Sequence, residues 1–381
     1  MIGQSAYLAE AKGYQHQAYA GAFAEFGTPR ELEHCGGWVL ERPVPGSNAI
    51  DAMGCYPIFC CRDWQRIPDD MSELGSRLLT LSLVADPFGN HDPALLRSAF
   101  APVIPFKTHF VADLTVPIRS LVSEHHQYYA RKSLRRVSVD VCSTPAQHLD
   151  AWTAMFAGLA ARHRLKGIKA FSRSSFEKQL SVPGMVMFTA EAEGRLVGIQ
   201  LWYQQDDVAY GHLAAYSPSG YDIRARASYG MYWAIIQHFA SRVRWLDLGG
   251  SAGSSGDARD GLAQFKQGWS SGTRTAFLCG RVLNPAAYAD IMNTAGVRAS
   301  DYFPAYRQGE FEPNWPDRVG AGADGVGGNA GRTRKTVWKG QSTSADSRSL
   351  SENRPFPAYQ MIAAPTLGIR MDRFPCPHPT S

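Results

Sequence analysis

A histidine in a strand-like run is the first candidate for chemistry in this chain. The run at 208–216, Val-Ala-Tyr-Gly-His-Leu-Ala-Ala-Tyr, alternates with a period of two, which predicts that Tyr210, His212 and Tyr216 share one face of a strand. Histidine titrates at about 6.5, so His212 could be the general base that deprotonates an attacking amine or hydroxyl, with the two tyrosines contacting the substrate. The alternative is a core histidine that is hydrogen-bonded to one of these tyrosines.

Two charged residues follow at positions that could complete such a site. Asp247 ends the strand-like run 243–248, where its carboxylate could orient a substrate amine or cap the glycine-rich turn that comes next. Lys266 belongs to a helix predicted around 258–268 that returns toward the same strand ends. Its ammonium group could neutralise a phosphate or a developing oxyanion, whereas the alternative is an ordinary surface lysine.

The segment between the histidine strand and the next predicted helix, at 225–241, is suited to phosphates. It combines small residues with two arginines, and the free N–H groups at a helix N-terminus attract anions together with the helix dipole. We therefore expect this entrance to hold the phosphates of a group donor. The residues that carry the prediction are Ser217, Arg224, Arg226, Ala227 and Ser228.

A second basic surface is predicted on a helix at 116–136. His125, Tyr128 and Lys132 recur at helical spacing, so they can share a face that binds an anionic substrate. The alternative is a solvated basic helix end, which the helix dipole favours.

The elements that must position these residues follow a regular order. In the first half, helix-like segments alternate with strand-like runs at 38–43, 78–85 and 108–114. The second half predicts a strand at 137–142, two helices at 147–165 and 174–180, and a meander of three strands at 185–191, 196–204 and 208–216. A helix, a strand, a helix and a strand at 273–281 follow.

Asp86 comes after a buried strand, where a turn role is favoured over a catalytic one.

Charge and cysteine content exclude several classes of function. The formal charge is +5, but residues 321–381 contain eight Lys/Arg against four Asp/Glu, so the body is nearly neutral and DNA binding is not expected. Seven cysteines without CxxC spacing indicate neither a disulfide framework nor a metal site.

No apolar run approaches the ~20 residues of a membrane span, so we expect a cytoplasmic protein. The composition beyond 306 predicts a disordered tail.

The glycine-rich turn at 249–256 superficially resembles the first motif of an S-adenosylmethionine-dependent methyltransferase. That fold needs well over a hundred further residues after this motif, whereas about fifty precede the predicted tail. The antiparallel meander upstream also disfavours it.

Three stretches together resemble the FemAB-like branch of the GNAT superfamily, whose members include BioF2-like, CelD-type acetyltransferases. They are Arg-Lys-Ser-Leu-Arg-Arg at 131–136, Tyr-Gly-His-Leu-Ala-Ala-Tyr-Ser at 210–217, and Leu-Asp-Leu-Gly at 246–249 followed by Gly-Leu-Ala-Gln-Phe-Lys-Gln-Gly-Trp at 261–269. The resemblance covers about 115–290. It implies an α/β fold with mixed sheets: a degenerate GNAT-like lobe at 1–115, a catalytic GNAT-like lobe at 116–305, and the tail at 306–381.

The resemblance also implies direct attack of an amine on an acyl or aminoacyl donor, without a covalent enzyme intermediate. It places Lys266 near the substrate or the donor phosphate and Asp247 at the strand end. We expect an acyl-CoA, such as acetyl-CoA, as the co-substrate, and no tightly bound cofactor. The expected acceptor is an amine on a small molecule or on a cell-envelope precursor. The loop 224–229 departs from the coenzyme A motif, with alanine at the first glycine position and tyrosine at the last small one.

Two alternatives stay open. One is an aminoacyl-tRNA-dependent aminoacyltransferase of cell-envelope biosynthesis, which the nearly neutral body and the absence of a long helical hairpin disfavour. The other is a GNAT-like binding module without catalytic activity, which the departure at 224–229 makes plausible.

Overall fold

The computed structural model describes residues 10–75, 77–222, 226–250, 261–296 and 302–310. Within them, eleven strands form one continuous mixed sheet, in the order β1-β2-β3-β4-β11-β5-β10-β9-β8-β7-β6. The strands are β1 (Thr28–Leu32), β2 (Gly37–Pro43), β3 (Ile50–Gly54), β4 (Thr80–Val84), β5 (Val103–Asp113), β6 (Ser138–Cys142), β7 (Met185–Ala192), β8 (Arg195–Gln205), β9 (Val208–Tyr216), β10 (Trp245–Gly250) and β11 (Gly272–Val282). The predicted α/β class is confirmed.

Helices cover both faces of this sheet. They are α1 (Gln17–Gly21), α2 (Ile67–Leu74), α3 (Pro93–Ala99), α4 (Ile118–Leu121), α5 (Glu124–Ser133), α6 (Leu149–His163), α7 (Arg173–Leu180), α8 (Ala227–Phe239), α9 (Gly261–Gln267) and α10 (Pro285–Thr294). The helix predicted at 116–136 is thus two helices, and α5 begins after Ser123, whose hydroxyl accepts from the amide of His126.

The two halves of the sheet repeat one arrangement and exchange their last strands. In each half, a parallel pair is formed by a strand and the next strand along the chain: β3 with β4, and β9 with β10. The neighbour of β4 is then β11, whereas the neighbour of β10 is β5, and β5 and β11 pair antiparallel at the centre. Each predicted lobe therefore supplies its last strand to the other.

The predicted meander is present, since β7, β8 and β9 pair antiparallel in succession. Its two connections use Glu193 and Asp206 with positive φ, as tight hairpin turns require. Two strands of the first half, β1 and β3, were not predicted.

The packed chain extends beyond the boundary predicted at 305. Arg307 is buried and its guanidinium contacts both carboxylate oxygens of buried Asp51 at 2.5 and 2.9 Å. Tyr306 donates a 2.8 Å hydrogen bond to the same carboxylate. The rest of the predicted tail, 311–381, lies outside the described residues.

Two large apolar clusters lie on opposite faces of the second half of the sheet. One holds Tyr14, Tyr19 and Tyr203 beneath α6 and α7, and the other holds Trp202, Tyr232 and Trp269 beneath α8 and α9. The candidate site lies where the sheet opens between these clusters.

Candidate functional site

Strands β9 and β10 separate part-way along their length. They pair in parallel from Trp245 opposite Val208 to Asp247 opposite Tyr210, and the ladder ends there. Beyond this point lies a cavity that is lined by Gly211 and His212 of β9 and by residues 247–250 of β10. The separation of the two strands therefore leaves a cavity in the middle of the sheet.

Three irregularities in strand pairing surround this cavity. Phe106 is an extra residue of β5 against β11, His212 is an extra residue of β9 against β8, and the β10–β5 register shifts between Asp247 and Gly250. β-Bulges redirect side chains and are frequent next to active sites. Here they turn side chains of three strands toward one space.

The bulge at His212 corrects the predicted strand pattern. Tyr210 and His212 face the cluster around Tyr14, but Ala214 and Tyr216 pack against α8 on the opposite side. The extra residue at the bulge reverses the alternation of side chains beyond it. The prediction that Tyr216 shares a face with Tyr210 and His212 is therefore wrong. The Tyr216 hydroxyl instead accepts a 2.7 Å hydrogen bond from the amide of Gln200.

A histidine–aspartate pair lies at the opening. His109 of β5 places its Nδ1 atom 3.0 and 2.8 Å from the two carboxylate oxygens of Asp247. Because a carboxylate only accepts, Nδ1 carries the proton and Nε2 is left as an acceptor. Nε2 has no hydrogen-bond partner within the described residues, and His109 lines the cavity. Both side chains are buried, so the pair is held in a fixed orientation.

Asp247 also performs the capping role that was considered as its alternative. Its Oδ1 atom accepts a 2.7 Å hydrogen bond from the amide of Gly249. The turn is thereby tied to the carboxylate that orients His109.

Lys266 is not an ordinary surface lysine. It is 1% exposed, and its ammonium group donates a 2.6 Å hydrogen bond to the carbonyl of Gly250. Gly249 has a φ of 73°, and a Cβ atom there would lie 3.2 Å from the ammonium nitrogen. The glycine therefore serves both the left-handed turn and the close approach of this lysine.

His212 lies in a different environment from the one its predicted role requires. Its Nε2 donates to the side-chain oxygen of Gln179 at 2.9 Å, and its Nδ1 accepts from the Tyr14 hydroxyl at 3.2 Å. Burial lowers the pKa of His212 to about 3. With both nitrogens engaged and the ring neutral, it meets the description of a satisfied core histidine, although its partners are not the tyrosines expected.

Tyr210 lies at the cavity, as predicted for a substrate contact, but its hydroxyl points to Asp86. It donates a 2.8 Å hydrogen bond to Oδ2 of this carboxylate, which the thiol of Cys60 also contacts at 3.4 Å. Burial is the main reason why the pKa of Asp86 is raised to about 6. Asp86 also accepts from the amide of Phe88, so the turn role expected for it is present.

The entrance of α8 holds the predicted phosphate residues only in part. Arg226 precedes the helix in a left-handed conformation, and its guanidinium lies 3.6 Å from the centre of the Tyr129 ring. Ala227 is fully buried, Ser228 is half-buried, and Ser217 caps a separate 3₁₀ turn by accepting from the amide of Gly220. Arg224 lies outside the described residues.

The predicted basic face of α5 meets this entrance. His125 contacts the rings of Tyr129 and Tyr229, while Tyr128 and Lys132 are exposed. A groove of about 520 Å³ lies beside them, lined by α5, the first turn of α8 and α9. No residue of this groove lines the β9–β10 cavity in the described chain, because α9 separates them: Phe265 faces the groove and Lys266 the cavity.

Sequence reasoning found Asp247 and Lys266 but missed His109 and Lys107. Both line the cavity from β5, two residues apart in the run Phe-Lys-Thr-His-Phe. The only local signal was a lysine and a histidine at alternate positions of an apolar strand.

Comparison with known proteins relates this geometry to a fold family. The family model described as "Acetyltransferase (GNAT) domain" matches residues 125–267, which include β9, α8, β10 and α9. Residues 125–267 are therefore similar in sequence to a GNAT acetyltransferase domain. The resemblance recognised in the sequence is confirmed, and the matched region contributes Asp247 and Lys266 to the cavity, whereas His109 precedes it. No curated protein sequence matches the chain.

Solved structures extend the likeness beyond the GNAT domain. FemX covers 74% of this chain with 95% of its own length, at 12% identity and a TM-score of 0.55. A C-terminal DUF2156 domain from Agrobacterium fabrum also covers 74% of the chain with 93% of its length, at 13% identity and a TM-score of 0.51. At such identities the comparison shows a shared fold and nothing about function. The exchange of strands between the two halves is described for this chain alone.

No helix of the described residues is long and apolar enough to cross a membrane. The same part of the chain holds no group of three or more His, Cys, Asp or Glu side chains suited to a metal ion.

Proposed function

We propose that the protein is an N-acyltransferase that passes an acyl group from an acyl-CoA-type donor to an amine, with His109 as the general base. The observation that carries this proposal is the His109–Asp247 pair at the opening between β9 and β10 of a GNAT domain. The acceptor is an amine on a small molecule or a cell-envelope precursor. No tightly bound cofactor enters the reaction.

The charge arrangement suits His109 to this role better than His212. Asp247 accepts the Nδ1 proton, which fixes the tautomer and would stabilise the imidazolium that forms when Nε2 takes a proton. His212 has no unengaged nitrogen and a pKa of about 3. A base with so low a pKa has little driving force to accept the proton of an amine near neutral pH.

The proposed transfer is a single displacement at the donor carbonyl. The amine nitrogen attacks the thioester carbon, a C–N bond forms, and the C–S bond breaks. The amine proton passes to Nε2 of His109, and the sulfur leaves as coenzyme A thiolate, which takes a proton. The reacting carbonyl would lie beside the bulge at His212, where backbone amides leave the regular ladder and can stabilise developing negative charge.

We assign the donor's phosphates to the entrance of α8. The N-terminus of this thirteen-residue helix provides amide donors, and Arg226 is held at its first turn by the Tyr129 ring. The groove beside His125 is separated from the cavity by α9, so only the phosphate end of the donor is assigned to this side of the helix. The proposal retains the prediction that the donor's phosphates are also bound by Arg224, Ala227 and Ser228.

The test is turnover of acetyl-CoA by the full chain with a panel of primary amines, comparing wild type with His109→Gln. We expect kcat to fall roughly 10²- to 10⁴-fold, with little change in the dissociation constant for acetyl-CoA measured by calorimetry. His163→Gln is the matched control, since His163 is a histidine remote from the cavity lining.

Three results would count against the proposal. Equal activity of His109→Gln and wild type would remove His109 as the base. Failure of acetyl-CoA to bind the wild-type chain would reject the donor class. Binding of acetyl-CoA without consumption in the presence of any amine would favour a binding module.

A further inference from the structure

Phe106 is a buried aromatic residue that stands apart from the core. Only 7% of it is exposed, yet it belongs to none of the apolar clusters that the described residues form. It lines the β9–β10 cavity instead. Because aromatic and aliphatic side chains supply most of the surface of small-molecule sites, Phe106 is a candidate for contact with a ligand.

A β-bulge turns Phe106 toward the cavity. The residues on either side of it pair with Phe277 and Ala276 of β11, and Phe106 is the extra residue between them. In a regular strand, consecutive side chains point to opposite faces. Phe106 and Lys107 are consecutive, yet both are buried and both line the cavity. The bulge therefore adds a hydrocarbon ring to a wall that a regular strand would supply with every second side chain only.

The first half of the chain supplies further apolar residues to the cavity. They are Pro57, Ile58 and Val84, the last of which ends β4. Their side chains can neither donate nor accept a hydrogen bond. Since His109 and Lys266 line the same cavity, it is suited to a ligand that combines a polar reacting group with a hydrocarbon group.

The cavity opens toward the face of the sheet that is opposite α8. Leu246 and Leu248 of β10 pack in the cluster beneath α8. Asp247 between them therefore points to the other face, where it contacts His109. Ile58 of the cavity wall belongs to the cluster on that face. In the proposed assignment, a donor whose phosphates lie at α8 passes through the opening between β9 and β10, and its acyl group emerges toward the apolar wall.

The size of the cavity limits what such a donor can carry. Its volume is about 40 Å³ between the described residues, which is room for roughly three water-sized groups. An acetyl group fits within that volume, whereas each further methylene would have to displace a packed wall. Phe106 is the largest purely hydrocarbon side chain among the described residues of this wall, so its replacement by a smaller one would enlarge the cavity most.

We propose that Phe106 limits the size of the transferred acyl group, so that the donor is the coenzyme A thioester of a short acid, such as acetyl-CoA. The inference rests on the proposed function and names the class of donor for the same site. Phe106 is a specificity-determining residue: its ring closes the apolar end of the cavity and takes no part in proton transfer.

The test measures the binding of coenzyme A, acetyl-CoA and butyryl-CoA to the full chain by calorimetry, which requires no acceptor. Coenzyme A reports the affinity of the part that all three ligands share, so differences from it belong to the acyl group. We expect the wild-type chain to bind butyryl-CoA about tenfold or more weakly than acetyl-CoA, because the longer chain meets the wall at Phe106.

Variants locate the effect. Phe106→Ala should change the ratio of the two dissociation constants by about tenfold or more in favour of butyryl-CoA, since the added methylenes would fill the space that the ring leaves. Phe106→Leu should shift the ratio in the same direction by less, and it keeps the test valid if the alanine variant does not fold.

Phe110→Ala is the matched control. It removes the same ring from the same strand, but Phe110 packs against the cluster beneath α8 and is not a residue of the cavity wall. The ratio of the dissociation constants for acetyl-CoA and butyryl-CoA should therefore stay at its wild-type value in this variant.

The proposal is overturned if the wild-type chain binds both thioesters equally, if a folded Phe106 variant keeps the wild-type ratio, or if Phe110→Ala shifts the ratio as much as Phe106→Ala does. It fails separately from the proposed function. A chain that distinguishes the thioesters through Phe106 but acylates no amine would contradict the acyl transfer alone. Acylation of an amine, with equal binding of both thioesters, would contradict the size limit alone, and no binding of any of the three ligands would overturn both.

Discussion

The ends of β4 and β10 occupy equivalent places in the two halves of the sheet, yet one is sealed and the other is open. Each strand runs parallel to the strand before it, pairs on its other side with a strand from the opposite half, and reaches an aspartate at its end. Asp86 follows β4 and Asp247 lies within β10. The difference between them shows how one topology yields both a core and a site.

The end of β4 is closed by side chains. Asp86 is buried against Tyr210 and Cys60, and the chain continues into Pro87 and Phe88. Arg274 of β11 lies over the Phe88 ring and donates to the carbonyl of Pro87. Among the described residues, no basic side chain of this arrangement lines the β9–β10 cavity.

The end of β10 is opened by glycines and by a different partner. His109 is directly opposite Arg274 in the central β5–β11 pair, but it contacts Asp247 instead of a turn carbonyl. Gly249 and Gly250 carry no side chains that could fill the space. The identity of one residue on each exchanged strand therefore distinguishes the two ends: Arg274 packs over one, and at the other His109 pairs with Asp247 in the arrangement for which we propose proton transfer.

The largest expected effect comes from removing the exchanged strand. A chain of residues 116–310 lacks β5, which is the neighbour of both β10 and β11 at the centre of the sheet. We expect it to lose cooperative thermal unfolding, because the chain also lacks β4, so that one edge of β10 and both edges of β11 would be left without partners. The control is residues 10–310, and a sharp unfolding transition of the shorter chain by circular dichroism would contradict the exchange.

The next prediction compares the two aspartates directly. Asp247→Asn should lower kcat roughly 10²- to 10⁴-fold, because an amide cannot hold the His109 tautomer and charge as a carboxylate does. Asp86→Asn should change kcat by less than about threefold, since Asp86 acts through packing. Similar losses in both variants, measured with acetyl-CoA and an amine, would break the comparison.

The pH dependence of the free energy of unfolding should differ between the wild-type chain and the Asp86→Asn variant. The folded-state pKa of Asp86 is about 6, above the ordinary 3.8, so its contribution to stability is complete below pH 3.8 and is lost as the pH rises through 6. Asp86→Asn removes this loss and should raise the free energy of unfolding at pH 8 by up to about 3 kcal/mol. The difference from wild type should shrink toward pH 4 in urea titrations; a constant difference would exclude titration as its cause.

The smallest effect concerns the turn after Asp247. Gly249→Ala should destabilise the fold by about 1 to 2 kcal/mol, because its φ of 73° disfavours a side chain and the new Cβ atom approaches the Lys266 ammonium. Gly46→Ala is the matched control, since Gly46 has the same φ and no atom within 4 Å of the added Cβ. A loss of stability in the control as large as that of Gly249→Ala would assign the cost to the backbone alone.

Much of the fold was accessible from sequence because its signals are local. Alternating apolar residues and turn-forming pairs predicted β7, β8 and β9, and the helical period predicted α6. Asp247 and Lys266 were also found, since a strand end, a glycine turn and a helix lie within twenty residues of each other. Such features depend on backbone preferences that neighbouring residues set.

The bulge in β9 marks where local reasoning failed. A strict two-residue period cannot register one extra residue, so Tyr216 was assigned to the face of His212 although it packs on the opposite side. The partners of His212, Gln179 and Tyr14, come from other elements and have no signal next to it in sequence.

By itself, the sequence determined the order of elements, the GNAT-like character of the second half, and the positions of Asp247 and Lys266. The tertiary structure alone decided that His109, 138 residues before Asp247, becomes its partner. The physical reason is the insertion of β5 beside β10: hydrogen bonding between distant strands brings the two side chains together, and no periodicity within either strand encodes that pairing.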